Sequence, residues 1–231
     1  MNLTPLTDKP RTHRGTKFFK YLDPVPLQSI QNIFLNKRYL EREERHGDTG
    51  RLVPVKNISL QIRAVAKLVE SEKSKVESKK IELWIVGDGS EKSNLKSKIS
   101  KLKLENNVKL LGWQNNPEEF YSQADAFLLT SDYEGWGMVI IEAARYGLPV
   151  IMTDVGCAGE LIENEKSGLV VPVSNQIKLE KAMIRIINDD NLRKKLAEGA
   201  LSAIKNLPNK EETMALYKQS WEKAMKNKPN R

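Results

Sequence analysis

Ser131-Asp-Tyr-Glu134-Gly-Trp-Gly137-Met-Val-Ile-Ile-Glu142-Ala-Ala is the stretch on which the rest of the chain turns. Two glutamates stand eight positions apart and bracket a glycine-rich turn. An apolar run, Ala126-Phe-Leu-Leu-Thr130, precedes the turn, and a helix-like apolar segment, Met138 to Tyr146, follows it. A buried strand, a tight turn and a helix start, in that order, make an anion site. The first N–H groups of a helix have no partner inside it, and glycine lets a ligand come close. Carboxylates on either side would repel a bare phosphate, but they would accept hydrogen bonds from hydroxyl groups flanking it. A nucleotide sugar has that layout: ribose, diphosphate, sugar.

Outward from this stretch the pattern alternates. Ile81 to Val86 reads as a buried strand ending in Gly87-Asp-Gly89; Val108 to Leu111, Ala126 to Thr130, Pro149 to Thr153 and Gly168 to Val173 read as further strands. Between them lie helical patterns: one capped by Asn57 or Ser59 and carrying Ile62, Val65, Ala66 and Val69, a lysine-rich one with Leu95, Ile99 and Leu102, and one opened by Asn116-Pro117. Strands alternating with helices predict a parallel α/β sheet covered on both faces. The last 55 or so residues read as helices, with Leu179, Met183, Ile186, Ile187 and Leu192 packing on the domain. Upstream, residues 1–16 are polar and proline-broken and read as loosely ordered. Pro24 and Pro26 break the apolar stretch Phe18 to Leu40, so a helix is expected from about Leu27 to Arg45.

Glu134-x7-Glu142, Gly147-Leu-Pro149-Val-Ile-Met-Thr-Asp154 and Gly159-Glu160-Leu-Ile resemble the donor-binding, C-terminal half of the GT-B glycosyltransferases of family 4 (glycosyl transferases group 1). Gly50-Arg51-Leu-Val-Pro-Val-Lys56-Asn57, Ile85-Val-Gly87-Asp88-Gly89 and Leu111-Gly112-Trp113 extend the resemblance, which covers about Gly50 to Pro172. It implies a Rossmann-like domain at 50–231, with a helical C-terminal tail that crosses to the other lobe. It implies transfer of a sugar, with retention, from a nucleotide diphosphate sugar to a hydroxyl acceptor, in glycan or glycolipid synthesis. Arg51 and Lys56 would clamp the diphosphate, where fixed cations stabilise the charge gained by the departing nucleotide. The N–H groups of Gly137, Met138 and Val139 would take phosphate oxygens. Glu142 would accept the ribose hydroxyls, and Glu134 would contact the donor sugar and stabilise its cationic transition state. Gly87 would let the nucleotide approach the strand end, and Trp113 would lie where the base packs.

Bulk properties narrow the remainder. The 231 residues suit one large domain or one and a half. No apolar run approaches the ~20 residues that span a bilayer, and no secretory leader is apparent. A single cysteine, Cys157, suits a reducing cytoplasm and has no histidine in its sequence neighbourhood to make it a nucleophile. No histidine–carboxylate cluster has metal-ligand spacing, so neither metal nor other cofactor is expected. The net charge of +8 is uneven: residues 1–56 carry 11 basic and 6 acidic groups, 57–180 carry 15 and 18, and 181–231 carry 12 and 6. Basic ends without interleaved aromatics argue against nucleic acid and fit either solvated lysine-rich helices or the inner face of an anionic membrane.

Glu43-Glu-Arg-His-Gly-Asp-Thr49 cannot form the buried strand that the family places before its Gly-Arg motif, and residues 1–49 are too few for an acceptor lobe. The chain therefore reads as a split-gene half, a truncated product or a domain that works with a partner chain supplying that lobe. The rival from a non-enzyme class is a nucleotide-sugar-binding subunit or inactive remnant. A nucleotide-sugar epimerase disagrees with the spacing of the two glutamates, and a dinucleotide oxidoreductase would need a G-x-G-x-x-G that is missing.

Overall fold

A computed structural model describes residues 33–37, 52–72, 81–114 and 118–226. The described residues fall into two compact units, one ending at Asn206 and a smaller one beginning at Leu207. The larger is built on β1 (Ile33–Lys37), α1 (Ile58–Glu72), β2 (Glu82–Val86), α2 (Lys92–Lys101), β3 (Val108–Gly112), α3 (Glu118–Gln123), β4 (Ala126–Leu129), α4 (Met138–Arg145), β5 (Val150–Thr153), β6 (Leu169–Val171), α5 (Gln176–Asn188) and α6 (Asp190–Lys205). The strands form one six-stranded parallel sheet in the order β3-β2-β1-β4-β5-β6.

The five strands expected from the apolar runs are all present. All four residues of β4 and all four of β5 are buried. Successive strand residues point to opposite faces, so burial of every one means that both faces are covered there. The helix expected over Leu27–Arg45 is corrected: Ile33–Lys37 is a strand. It pairs with β2 from Ile33–Glu82 to Lys37–Val86 and with β4 at Phe34–Ala126 and Leu35–Phe127. A central strand between β2 and β4 is thus present, earlier in the chain than the 43–49 segment. A short apolar run fits a buried strand and a helix equally well by periodicity, and charged Glu41–Arg45 biased the reading toward a helix end. Residues 43–49 and the Asn116-Pro117 cap lie outside the described residues.

Side chains close the helix ends. Asn175 accepts from the Lys178 N–H at the start of α5, and Asp189 from the Leu192 N–H at the start of α6. Buried Arg193 donates to the carbonyls of Ile186 and Ile187, which end α5. Leu179, Met183, Ile186, Ile187 and Leu192 are buried as expected, but Leu102 is 41% exposed and lies just past α2 rather than in its apolar stripe. In the smaller unit, α7 (Lys210–Lys226) opens with a reciprocal cap in which Asn209 Oδ1 accepts the Glu212 N–H and Glu212 returns to the Asn209 N–H.

Gly199, inside α6, gives a test of this packing. In a helix interior Gly→Ala normally stabilises by about 1 kcal/mol. Here a Cβ would strike the Lys166 carbonyl oxygen and come within 2.9 Å of its carbon. Gly199→Ala is therefore expected to destabilise, by roughly 1–3 kcal/mol, and thermal melting of the two proteins checks the sign.

Candidate active site

The sheet order reverses between β1 and β4: from β1 the chain builds outward to β2 and β3, and from β4 outward to β5 and β6. In open parallel sheets of this kind, the crevice at the carboxyl ends of the strands beside such a reversal is where ligands bind. The candidate residues with the most specific geometry gather there.

Lys56 closes a 3₁₀ turn, Pro54–Lys56, and Asn57 follows it in a left-handed conformation before α1 begins. The turn is stitched to the exit of β4. The Asp132 N–H donates to the Val55 carbonyl at 2.7 Å. The Thr130 hydroxyl donates toward the carbonyls of Lys56 and Asn57, both at 3.2 Å, and accepts from the Gln61 amide at 2.8 Å. Asp132 Oδ1 accepts from both the Asn57 amide and the Ser174 hydroxyl. Thr153, at the end of β5, donates to the Ser131 carbonyl at 2.6 Å. Three loops are thereby locked together, by Gln61, Thr130, Ser131 and Thr153 in the interior and by Asn57, Asp132 and Ser174 at the surface.

This frame carries Lys56 and Glu134 into contact. The ammonium donates to Glu134 Oε1 at 2.5 Å, and the Ser131 hydroxyl donates to the same oxygen at 2.7 Å. The two side chains are only 5% and 10% exposed. Gly156, with φ of 60°, closes the site from the β5 side: a Cβ there would lie 2.7 Å from the Trp136 carbonyl and 3.0 Å from the Glu134 Cβ. Gly137, also left-handed, caps α4, and Met138 and Val139 follow as its first residues. Their N–H groups precede any intrahelical acceptor four residues back. Glu142, the fifth residue of α4, accepts from the Tyr121 hydroxyl at 3.0 Å.

The other expected residues are distributed differently. Gly87 ends β2 in a positive-φ conformation, and its N–H is used on the Gly112 carbonyl at 2.8 Å. Trp113 follows β3 and is 50% exposed, with β2 and β1 standing between β3 and β4. Arg51 lies outside the described residues. Its neighbour Leu52 exchanges backbone hydrogen bonds with Asp88 and Glu91, which fixes the chain at the end of β2. Glu160 is exposed. Among the described residues no group of three or more histidine, cysteine, aspartate or glutamate side chains could hold a metal ion, and no helix is long and apolar enough to cross a membrane.

A family model described as glycosyl transferases group 1 matches residues 41–202. The chain belongs to the group 1 glycosyl transferases. Among curated relatives of this glycosyl transferase, the Campylobacter jejuni N-acetylgalactosamine-N,N'-diacetylbacillosaminyl-diphospho-undecaprenol 4-alpha-N-acetylgalactosaminyltransferase is 31% identical over 174 residues, covering 75% of this chain and 44% of that protein. A crystal structure of an S. aureus TarM variant with Fondaparinux, alpha-GlcNAc-glycerol and UDP superposes with a TM-score of 0.73 at 23% identity, over 87% of this chain and 38% of the other. The C-terminal domain of the group 1 protein LpcC from Francisella tularensis has a TM-score of 0.61 at 19% identity, over 75% of this chain and 84% of that domain. The fold is the Rossmann-like α/β fold of GT-B glycosyltransferases. The chain spans less than half the length of the first curated relatives it matches.

Cys157 lies in the same loop as Gly156 but is fully buried. Burial pushes its thiol up from the ordinary 9.0 to about 12. Because the folded thiol holds its proton more tightly than the unfolded one, its contribution to stability is complete below pH 9 and declines as pH rises toward 12. At pH 8 the native protein is expected to resist an aromatic disulfide reagent and to release one equivalent of chromophore only when unfolded. Rapid labelling of native protein would contradict this.

Proposed function

We propose that this chain is the donor-binding, C-terminal lobe of a retaining family 4 glycosyltransferase, binding a nucleotide diphosphate sugar and transferring its sugar to a hydroxyl acceptor. The observation that carries the proposal is the buried Lys56–Glu134 pair beside the N-terminus of α4 at the reversal of strand order. An ammonium has three donors, so Lys56 can keep Glu134 and still reach a diphosphate oxygen. As the glycosidic bond breaks, charge grows on the departing nucleoside diphosphate. A fixed cation and helix N–H groups aimed there stabilise it without reorganising. Arg51 adds a second cation. Glu134, with one oxygen shared by Lys56 and Ser131, faces the transferred sugar and favours positive charge developing at its anomeric carbon. Glu142 takes the ribose.

UDP in the TarM complex is consistent with this ligand class, and the likeness to a domain named C-terminal supports the placement in the whole protein. The C. jejuni relative is named for an alpha linkage, which is the product of retention from an α-linked donor, and for a diphospho-undecaprenol acceptor. A polyprenyl acceptor would bring the enzyme to the inner face of the cytoplasmic membrane, where the basic ends of this chain would be attracted. Catalysis requires an acceptor lobe, in the same or a partner chain, because the reaction takes place in a closed cleft that excludes water.

Titration calorimetry with UDP, GDP and ADP in the presence of a chelator tests the proposal. One nucleoside diphosphate should bind without added divalent cation, because Lys56, Arg51 and the start of α4 supply the counter-charge. Lys56→Ala and Arg51→Ala should each weaken it about tenfold or more, since a charge-assisted contact contributes roughly 1.5–3 kcal/mol. Glu142→Gln should weaken the plain diphosphate, whereas Glu134→Gln should affect mainly the full nucleotide sugar. Equal losses for both ligands in both variants would sink the assignment of roles.

A further inference from the structure

We propose that Tyr121 is a positioning residue that holds the Glu142 carboxylate in place for a ribose, and so sets a preference for ribonucleotides over deoxyribonucleotides. The inference rests on the reading that Glu142 takes the ribose and adds to it the residue that acts through Glu142. Tyr121 belongs to α3, a different element, and is 1% exposed. Its hydroxyl reaches Glu142 Oε2 at 3.0 Å. An ionised carboxylate only accepts, so the phenol is the donor.

The phenol is a fixed donor because its ring is held on two sides. It stacks on Tyr146, with centroids 5.4 Å apart and planes at 21°, and it lies tilted against Phe127 of β4 at 6.0 Å. Tyr146 is the residue that ends α4, so the ring is clamped by the same helix that carries Glu142. A glutamate has a long, rotamer-rich side chain, and ordering one on binding weakens affinity by about three- to tenfold. A buried phenol that orders it beforehand removes that cost from ribose binding. The site applies the same device at its other carboxylate, where Ser131 holds Glu134. The competing view is that Glu142 serves only to satisfy a buried hydroxyl; it predicts lost stability with no change in nucleotide preference.

Tyr121→Phe keeps the ring and its stacking and removes only the donor, and thermal melting confirms that the variant folds. Calorimetry with UDP and 2′-deoxy-UDP, or with GDP and its 2′-deoxy form if guanine is selected, gives the readout. Wild type is expected to prefer the ribonucleotide. In Tyr121→Phe the ribonucleotide should weaken about three- to tenfold while the deoxy form changes less than twofold, so the preference shrinks. Adding Tyr121→Phe to Glu142→Gln should then have little further effect. A Tyr121→Phe protein with the wild-type preference, or with equal losses for both nucleotides, would overturn the inference while leaving the proposed function standing. Wild type that binds no nucleoside diphosphate would remove the proposed function and this inference together; wild type that binds both forms equally would remove the ribose role of Glu142 and the inference alone.

Discussion

Lys56 carries an ammonium to a place where only 5% of its side chain meets solvent, and the fold around it is arranged to make that tolerable. A buried charge needs an opposite charge with good geometry, and removing one partner leaves the other without compensation. Glu134 supplies the charge from a turn 78 positions further on. That pairing requires the β4 exit and the turn before α1 to be held to within a few tenths of an ångström. The Asp132–Val55 backbone bond and the hydroxyl of Thr130 hold them. Replacing the pair with apolar side chains would often cost little in stability, so its presence at the crevice of a parallel sheet points to chemistry rather than packing.

The sheet explains why this position was available. Parallel strands send all their carboxyl ends to one edge, and a reversal of order opens a gap between the two diverging halves. β1 and β4 flank the gap. Glycine at 156 lets the loop after β5 press against the Glu134 turn, and α4 starts from the same turn. Cation, carboxylate and helix end therefore arise from one local arrangement of strand ends.

Much of this was legible in the sequence, and the failures have identifiable physical causes. β2 to β6 could be read because they are short, mainly apolar runs bounded by glycine, proline or polar residues, continuous where both faces are buried, as in β4 and β5. α4 and its glycine cap could be read because an apolar helix-like segment follows directly on a glycine-rich turn. β1 was misread because Ile33–Lys37 is too short for periodicity to separate strand from helix, and what identifies it is pairing with Glu82–Val86 and Ala126–Phe127, which no local window contains. The individual candidates Lys56, Glu134 and Glu142 were found by motif. Their partners were not: the Lys56–Glu134 contact, the hold of Ser131 on Glu134 and that of Tyr121 on Glu142 are products of tertiary structure. Asp132, two residues before Glu134, is held by Asn57 and Ser174, which no motif foretells. The signal for Tyr121 was an aromatic with a polar tip in a short, otherwise polar helix: buried, such a hydroxyl needs a partner.

The central claim is that Lys56 and the start of α4 form the seat of a diphosphate, with Glu134 directed toward the sugar beyond it. A crystal structure of this chain with UDP, grown in the presence of chelator, tests it most directly. The account predicts the diphosphate within hydrogen-bonding distance of Lys56 Nζ and of the N–H groups of Gly137, Met138 and Val139, with the ribose on the Glu142 side. A diphosphate bound elsewhere on the sheet edge, with the Lys56–Glu134 pair undisturbed and remote from it, would contradict the account.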